Sequence, residues 1–382
     1  MRNGSSADPV AIELFAGCGG LSTGVLDAGF RVALGTDYYA PTMRTYAYNH
    51  EYRGSRALTA DARALTGASL MEAAGLAGRR PALLAGGPPC QPFSVIGKRQ
   101  GLADPRGDLV LEYVRLLREL QPDGFIFENV AHLETVAEGV VLDRILSELT
   151  DAGYASRHAV LSAAEFGVPQ MRKRLFIVGA RGKKAPPFPP MPTHGDLALL
   201  GQSPLVTCRD ALDDLPDVES PEAALIPNHE PTHHSPAMLD AFRALEPGRR
   251  DKKSHHDRLH PDRPGYTLRA GTGNFSPLRP VHYRYDRVIS VRESARLQSF
   301  ADSFIWPHDV PRLQQYRQVG NAVPPKLAAA VVRHLAAFFG WTADAEVTKG
   351  DERLRDPFVP ACAKQRAEER RSRIRGASLG RP

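Results

Sequence analysis

Residues 82–85 form a short apolar run, and Gly86-Gly87-Pro88-Pro89 stops it. An apolar run of that length bounded by turn residues reads as a buried strand. Neither glycine nor proline continues a hydrogen-bonded ladder, so the strand ends abruptly. Cys90, followed by Gln91-Pro92-Phe93-Ser94, is thereby held on a stiff loop at a strand end. In open α/β sheets that is the edge where ligands bind. A lone cysteine in a turn is more often a small buried thiol than a reactive one, so the rest of the chain has to decide between the two.

The same punctuation recurs on either side. Val10-Ala11-Ile12-Glu13-Leu14-Phe15 reads as a first strand, Ala16-Gly17-Cys18-Gly19-Gly20 as a turn, and residues 21–28 as a helix. A strand, a glycine turn and a helix form a cradle for a nucleotide-type cofactor, because glycine lets backbone approach a ligand closely. The spacing is not that of the dinucleotide fingerprint. Residues 31–36 form a second strand ending at Asp37-Tyr38, where a carboxylate can take ribose hydroxyls. A third short strand near 57–60 precedes Asp61, which alone reads equally well as a helix cap. The cysteine strand is the fourth. Residues 95–106 are glycine-rich and charged, with Lys98, Arg99 and Arg106, and read as a loop able to close over a substrate. A helix at 109–120 leads to a fifth strand, Gly124-Phe125-Ile126-Phe127, with Glu128-Asn129-Val130 at its end. A helix at 142–152 follows, then strands at 157–161 and 175–180 flanking Gln170-Met171-Arg172-Lys173-Arg174. Strands alternating with helices predict an α/β fold: a mixed, mostly parallel sheet with helices on both faces.

Composition changes at Lys183. Residues 186–192 are proline-dense, and no α/β alternation returns until about Val288. Helical spacing resumes at 292–300, a turn follows at Gln318-Val319-Gly320-Asn321-Ala322-Val323-Pro324-Pro325, and residues 326–339 form an apolar helix. The predicted organisation is a disordered N-terminus at 1–9, an α/β domain at 10–185 completed by 289–340, a smaller irregular domain at 186–288, and a disordered tail at 341–382. The formal charge of +6 is uneven. The last 34 residues carry ten Lys/Arg against five Asp/Glu, and residues 243–287 carry eleven against five. Such patches fit a polyanion partner. The four cysteines are far apart with no CxxC pair, which argues against a disulfide framework and fits a reducing cytoplasm. Histidines cluster at 229–260 without a cysteine partner at finger spacing, so no metal is expected. No long apolar run and no signal-peptide core point to a membrane.

Six segments in this order carry a resemblance: Glu13-Leu14-Phe15-Ala16-Gly17-Cys18-Gly19-Gly20, Gly87-Pro88-Pro89-Cys90-Gln91-Pro92-Phe93-Ser94, Glu128-Asn129-Val130, Gln170-Met171-Arg172-Lys173-Arg174, Arg292-Glu293-Ser294-Ala295-Arg296-Leu297-Gln298 and Gly320-Asn321-Ala322-Val323-Pro324-Pro325. The set resembles the bacterial DNA (cytosine-5)-methyltransferase family. It spans residues 10–339 apart from the variable stretch between Lys183 and Val288, where that family places its target recognition domain. Family members usually have Asp where this chain has Glu13, and often Glu where it has Asp37.

The resemblance implies the S-adenosylmethionine-dependent methyltransferase (Rossmann-like) fold and S-adenosylmethionine as methyl donor. It implies Cys90 as the nucleophile that adds to carbon 6 of a flipped-out cytosine, with Arg172 and Arg174 lowering its pKa or steadying the adduct and Glu128 bonding ring nitrogen 3 and the exocyclic amine. For the cofactor it implies Phe15 against the adenine or sulfonium, and Gly17, Gly19 and Gly20 leaving room for the methionine end. Asp37 falls on the ribose, Tyr38 on the base and Asp61 on the adenine amine, with Leu109, Asn321 and Val323 closing the pocket. Double-stranded DNA is the expected partner. Gln91, Ser94, Lys98, Arg99 and Arg106 are expected near the target nucleotide and its phosphates, and Thr267, Arg269 and Arg279 in the recognition segment. Arg269 and Arg279 can pair with guanine edges or touch phosphates only. A monomer suits an asymmetric flipped-base complex, and the resemblance leaves two settings open: the modification enzyme of a restriction–modification system, with a cognate restriction endonuclease acting on the same site, or a solitary bacterial methylase. RNA methylation and a catalytically silent DNA-binding protein are the competing readings. The chain lacks the cysteine-phenylalanine-threonine motif of the tRNA-methylating branch, and Cys90, Glu128 and Arg172 are intact.

Overall fold

A computed structural model describes residues 9–76, 78–89, 108–195, 201–271 and 278–349. The first half runs β1 (Val10–Leu14), α1 (Gly20–Asp27), β2 (Arg31–Asp37), α2 (Ala40–His50), β3 (Arg56–Thr59), α3 (Gly67–Ala73), β4 (Leu83–Gly86), α4 (Asp108–Leu120), β5 (Gly124–Val130), α5 (Val140–Asp151), β6 (Tyr154–Ser162), β7 (Gln170–Met171) and β8 (Lys173–Arg181). Next come α6 (Cys208–Leu212), α7 (Pro236–Arg243), β9 (Asp257–Arg258), β10 (Gly265–Tyr266) and β11 (Pro280–Val281). Helices α8 (Val291–Leu297), α9 (Arg312–Asn321), α10 (Pro325–Phe339) and α11 (Ala345–Lys349) complete the described chain.

Seven strands form one sheet in the order β3-β2-β1-β4-β5-β8-β6. The first five are mutually parallel, and β8 runs antiparallel between β5 and β6. The order reverses between β1 and β4, so loops diverge there at the carboxyl ends and leave a crevice. Period-two alternation builds a core on each face. Ile12, Leu14, Phe125, Phe127, Leu175 and Ile177 pack with Val110, Tyr113, Val114 and Leu117 of α4. Ala11, Ile126, Phe176 and Val178 point the other way, onto α1 and α10. The short helices α2 and α3 were not apparent from apolar spacing. Residues Arg312–Phe339 are apolar enough in composition to pass for a membrane span; they form two helices, α9 and α10, broken at 322–324.

The stretch after β8 builds only a small core of its own, Phe242, Val281 and Val288 with Leu278 against them, and otherwise packs on the α/β domain. Cys208, Leu212, Leu215, Leu259, Leu268 and Tyr283 share one buried cluster with Val291, Ala295, Leu297, Trp306, Tyr316 and Val319. Strand β10 pairs with β7, which attaches this layer beside the Gln170–Arg174 segment. The expected tail begins later than residue 341. Trp341 stacks on Phe339 at 4.5 Å, the Asp344 amide donates to the Gly29 carbonyl, and Arg53 donates to the Val347 carbonyl. The aromatic and small residues of 341–347 thus dock on the α1 side, against the expectation drawn from their polar neighbours. The expected disorder of residues 1–8 and 350–382 lies outside the described residues.

Candidate active site

Strands β1, β2, β4 and β5 deliver the predicted residues to one edge of the sheet. Phe15 follows β1 with φ 55°, a left-handed conformation that side chains rarely adopt. Gly17 follows with φ 56°, and a Cβ there would meet nothing nearer than Thr42 at 4.0 Å. Asp37 ends β2. Its Oδ2 accepts from the Gly17 amide at 3.1 Å and its Oδ1 from the Tyr39 amide at 3.0 Å, which fixes the carboxylate across both loops. Burial raises its pKa, against those backbone hydrogen bonds. Tyr38 stands 69% exposed beside it.

The other two glycines serve the protein itself. A Cβ on Gly19 would fall 2.1 Å from the His50 ring, and one on Gly20 would fall 2.3 Å from the Val323 carbonyl oxygen. Of the three glycines expected to leave room for a cofactor, only Gly17 opens on free space. Val323 is 8% exposed and packs behind the loop in the α1–α10 layer. Asn321 is exposed at the end of α9, and Leu109 is half-buried in the first turn of α4. Asp61 takes the cap role: it accepts from the Arg63 amide at 3.0 Å and pairs with the Arg63 guanidinium. It still sits beside Asp37, whose carbonyl accepts from the Ala60 amide.

At the end of β5, Glu128 is almost fully buried and pairs with Arg174 Nε at 3.0 Å. Burial raises the pKa of Glu128, while Arg174 and then Arg172 pull it down. Gly87 lets the incoming loop pass over this carboxylate, because a Cβ there would lie 2.9 Å from Glu128 Oε2. Asn129 donates to the Pro88 carbonyl at 2.9 Å and so ties that loop to β5. Cys90, Gln91, Ser94, Lys98, Arg99 and Arg106 lie outside the described residues. Cys18 and Cys208 are buried free thiols, and burial raises both pKa values, Cys208 to about 12. Neither is suited to nucleophilic work.

Arg172 does not share the place of Arg174. Its guanidinium is wholly buried and donates to the carbonyls of Leu268 at 3.0 Å, Gly320 at 2.9 Å and Ala322 at 3.1 Å. Gln170 accepts from the Leu268 amide and donates to the Leu297 carbonyl. Both backbone groups of Leu268 are thus held by this one segment. Alternation along β8 puts Arg174 toward Glu128, while Arg172, just before the strand, turns into the joint between layers. Arg172 thus acts as a strut between layers, and its charge also reaches Glu128; its expected action on the Cys90 thiolate involves a residue outside the described ones.

The motif acid Glu13 proves to be a buried polar group beneath the cradle, a setting the sequence did not reveal. Glu13 accepts from Ser22, which meets the Tyr46 hydroxyl at 2.9 Å, and burial raises its pKa to about 8. An acid on an otherwise apolar strand, at the head of the first motif, was the signal. Farther out, a cleft of about 200 Å³ brings together Thr267, Arg269 and Arg279, the three residues expected to meet DNA there, with Met171 and Tyr266.

Comparison with known proteins accounts for this arrangement. The sequence profile of the C-5 cytosine-specific DNA methylases matches residues 10–337. The type II methyltransferase M1.HphI of Haemophilus parahaemolyticus is 34% identical over 338 residues, 84% of each chain. M.SacI of Streptomyces achromogenes is 34% identical over 374 residues, covering 86% of this chain and 93% of its own. Among solved structures, a prophage-encoded protein of E. coli described as a DNA modification methyltransferase superposes with a TM-score of 0.70 at 25% identity, over 87% of this chain and all of that one. The Dnmt2 methyltransferase of S. pombe gives a TM-score of 0.63 at 20% identity, over 86% of this chain and 98% of its own, which shows the common fold. The chain belongs to the C-5 cytosine-specific DNA methylase family, and its activity is DNA cytosine-5 methylation.

Proposed function

We propose that the enzyme methylates a cytosine within a short duplex DNA sequence, as the modification partner of a type II restriction endonuclease, through covalent addition of Cys90 to a flipped-out base. The observation that carries this is the buried Glu128–Arg174 pair under the Gly87-Pro88 loop, one crevice away from the Gly17–Asp37 cradle. Glu128 on β5 and the cradle after β1 and β2 lie on opposite sides of the crevice between β1 and β4, which supports a proton donor facing a cofactor. The type II relatives named above favour the restriction–modification setting.

The family and the fold imply S-adenosylmethionine, and the residues present fit it: the Gly17 opening, a carboxylate fixed at a strand end, and an exposed aromatic beside it. Phe15, Gly17, Asp37 and Tyr38 would hold it, with Asp61 at the rim. When bound it supplies an electrophilic methyl group on a sulfonium.

Carbon 5 of cytosine is a weak nucleophile because the ring is electron-poor. The Cys90 thiolate adds to carbon 6, forming the S–C6 bond and pushing the ring's electrons toward nitrogen 3. Glu128 gives its proton to nitrogen 3, a transfer that its raised pKa assists. Arg174 holds the carboxylate that results. Carbon 5, now part of an enamine, takes the methyl group. Loss of the carbon 5 proton to a water-borne base, cleavage of the S–C6 bond and return of the nitrogen 3 proton to Glu128 then restore the ring, the thiolate and the acid. A base buried in a duplex cannot reach such a site, so it must leave the stack.

The test is Cys90→Ala with duplex DNA carrying 5-fluorocytosine. The wild type is expected to form a covalent complex stable to denaturation, because fluorine cannot leave as the carbon 5 proton does. The variant is expected to bind cofactor normally and form none. Full turnover by Cys90→Ala would end the covalent mechanism.

A further inference from the structure

The cleft beside β10 holds a residue pair that neither the sequence motifs nor the family relationship picks out. Arg250 lies opposite Asp257 in a short antiparallel bridge. Asp257 in turn pairs with Pro280 in the β9–β11 ladder, and its amide donates to the Arg279 carbonyl at 3.0 Å. Three neighbouring segments thus set Arg250, Asp257 and Arg279 side by side along one wall. Tyr266 closes the arrangement by donating its hydroxyl to the Gly248 carbonyl at 2.6 Å, two residues before Arg250.

The pair is asymmetric. The Asp257 side chain is 8% exposed and that of Arg250 is 50% exposed. Arg250 uses Nε on Oδ1 and Nη2 on Oδ2, the latter at 3.1 Å. A guanidinium has five N–H donors in a rigid plane. Engaging one side of the fork with a buried carboxylate leaves the Nη1 end to donate outward in a fixed orientation. It also cancels most of the net charge. A phosphate contact gains from charge and needs little orientation. A guanine edge, with its O6 and N7 acceptors in the major groove, gains from an oriented pair of donors and needs no net charge. The pairing suits the base.

We propose that Arg250, held by Asp257 as a positioning residue, reads a guanine in the recognised sequence, alongside Arg269 and Arg279 in the same cleft. This rests on the reading that the enzyme methylates duplex DNA at a specific sequence.

The test is methylation of a library of duplexes randomised around the target cytosine, read by bisulfite sequencing, for the wild type, Arg250→Ala, Arg250→Lys and Asp257→Asn. Cofactor binding measured by calorimetry reports folding. Arg250→Ala and Arg250→Lys are both expected to lose a guanine preference at one position, by roughly ten- to a hundredfold, while the other positions keep theirs. Asp257→Asn is expected to blur the same position and to raise affinity for non-cognate duplex, because the arginine is kept and its counter-charge is lost. The salt dependence of binding is expected to change little in Arg250→Ala. The proposal is overturned if Arg250→Ala keeps every positional preference, or if it loses rate uniformly with a salt slope smaller by about one. A wild type that methylates no duplex at all would instead remove the reading beneath the proposal.

Discussion

Replacing Arg172 and Arg174 separately by alanine is expected to separate two jobs that the sequence motif runs together. Arg172 makes three hydrogen bonds from a fully buried guanidinium to the carbonyls of Leu268, Gly320 and Ala322. Hydrogen bonds from charged donors each contribute about 1.5–3 kcal/mol, and an orphaned buried acceptor costs about 1–3 kcal/mol. Losing three of them, offset by no longer burying the charge, leaves a net loss of about 3–5 kcal/mol, the range seen when a buried charged arrangement loses one partner. For a chain of this size that lowers the apparent melting temperature by on the order of 10 °C. Among the described residues Arg174 has one ion-pair partner, Glu128. Without it, Glu128 takes up a proton more readily, so little stability is lost, while kcat is expected to fall by roughly a hundredfold or more. Thermal unfolding and single-turnover methylation of both variants decide the matter. An Arg172→Ala enzyme that melts like the wild type yet has lost methylation would refute the strut.

Glu13 has a folded pKa raised to about 8, so the stability it allows is fully present below its unfolded pKa near 4.5 and is lost as pH rises through 8. Glu13→Gln is expected to flatten that decline in melting curves taken from pH 5 to 8.5, and an unchanged slope would contradict it. Gly17→Ala is expected to weaken cofactor binding while costing about 1 kcal/mol of backbone strain. Gly20→Ala, whose Cβ would meet the Val323 carbonyl at 2.3 Å, is expected to cost stability by more than about 2 kcal/mol, so calorimetry and melting of the two variants should rank them oppositely. Residues 350–382 carry nine Lys/Arg against five Asp/Glu. Their removal is expected to weaken non-specific DNA binding and flatten its salt dependence without shifting the methylated site; a new site would count against this.

The sheet was legible because its strands are short apolar runs closed by glycine, proline or an acid, and each closing residue also marks the carboxyl edge. Asp37, Glu128 and Gly17 are therefore found where their neighbours in sequence put them. Periodicity says less about α2 and α3, whose apolar faces are narrow. It says nothing of the distant partners that set a residue's job. Gly19 and Gly20 look identical to Gly17 in sequence, but His50 and Val323 claim the space beside them. Arg172 and Arg174 are two residues apart, and only the start of β8 between them sends one inward to the joint and the other to Glu128. Arg250 and Asp257 meet through a bridge across a seven-residue separation that carries no motif.

The buried cluster shared by the layer after β8 and helices α8 and α9 limits how this enzyme could be retargeted. Exchanging residues 186–287 for those of a relative would cut through that cluster, leaving the side chains of α8 and α9 facing a stranger's residues. A working chimera has to bring residues that complement Val291, Ala295 and Trp306. It also has to keep the chain close enough at 269–270 to lie against Gly320, where a Cβ would come within 2.6 Å of the Arg269 backbone. If Arg250 and Arg269 read the target as proposed, divergence in target sequence is cheapest at such exposed positions, where a substitution leaves the attachment of the layer undisturbed.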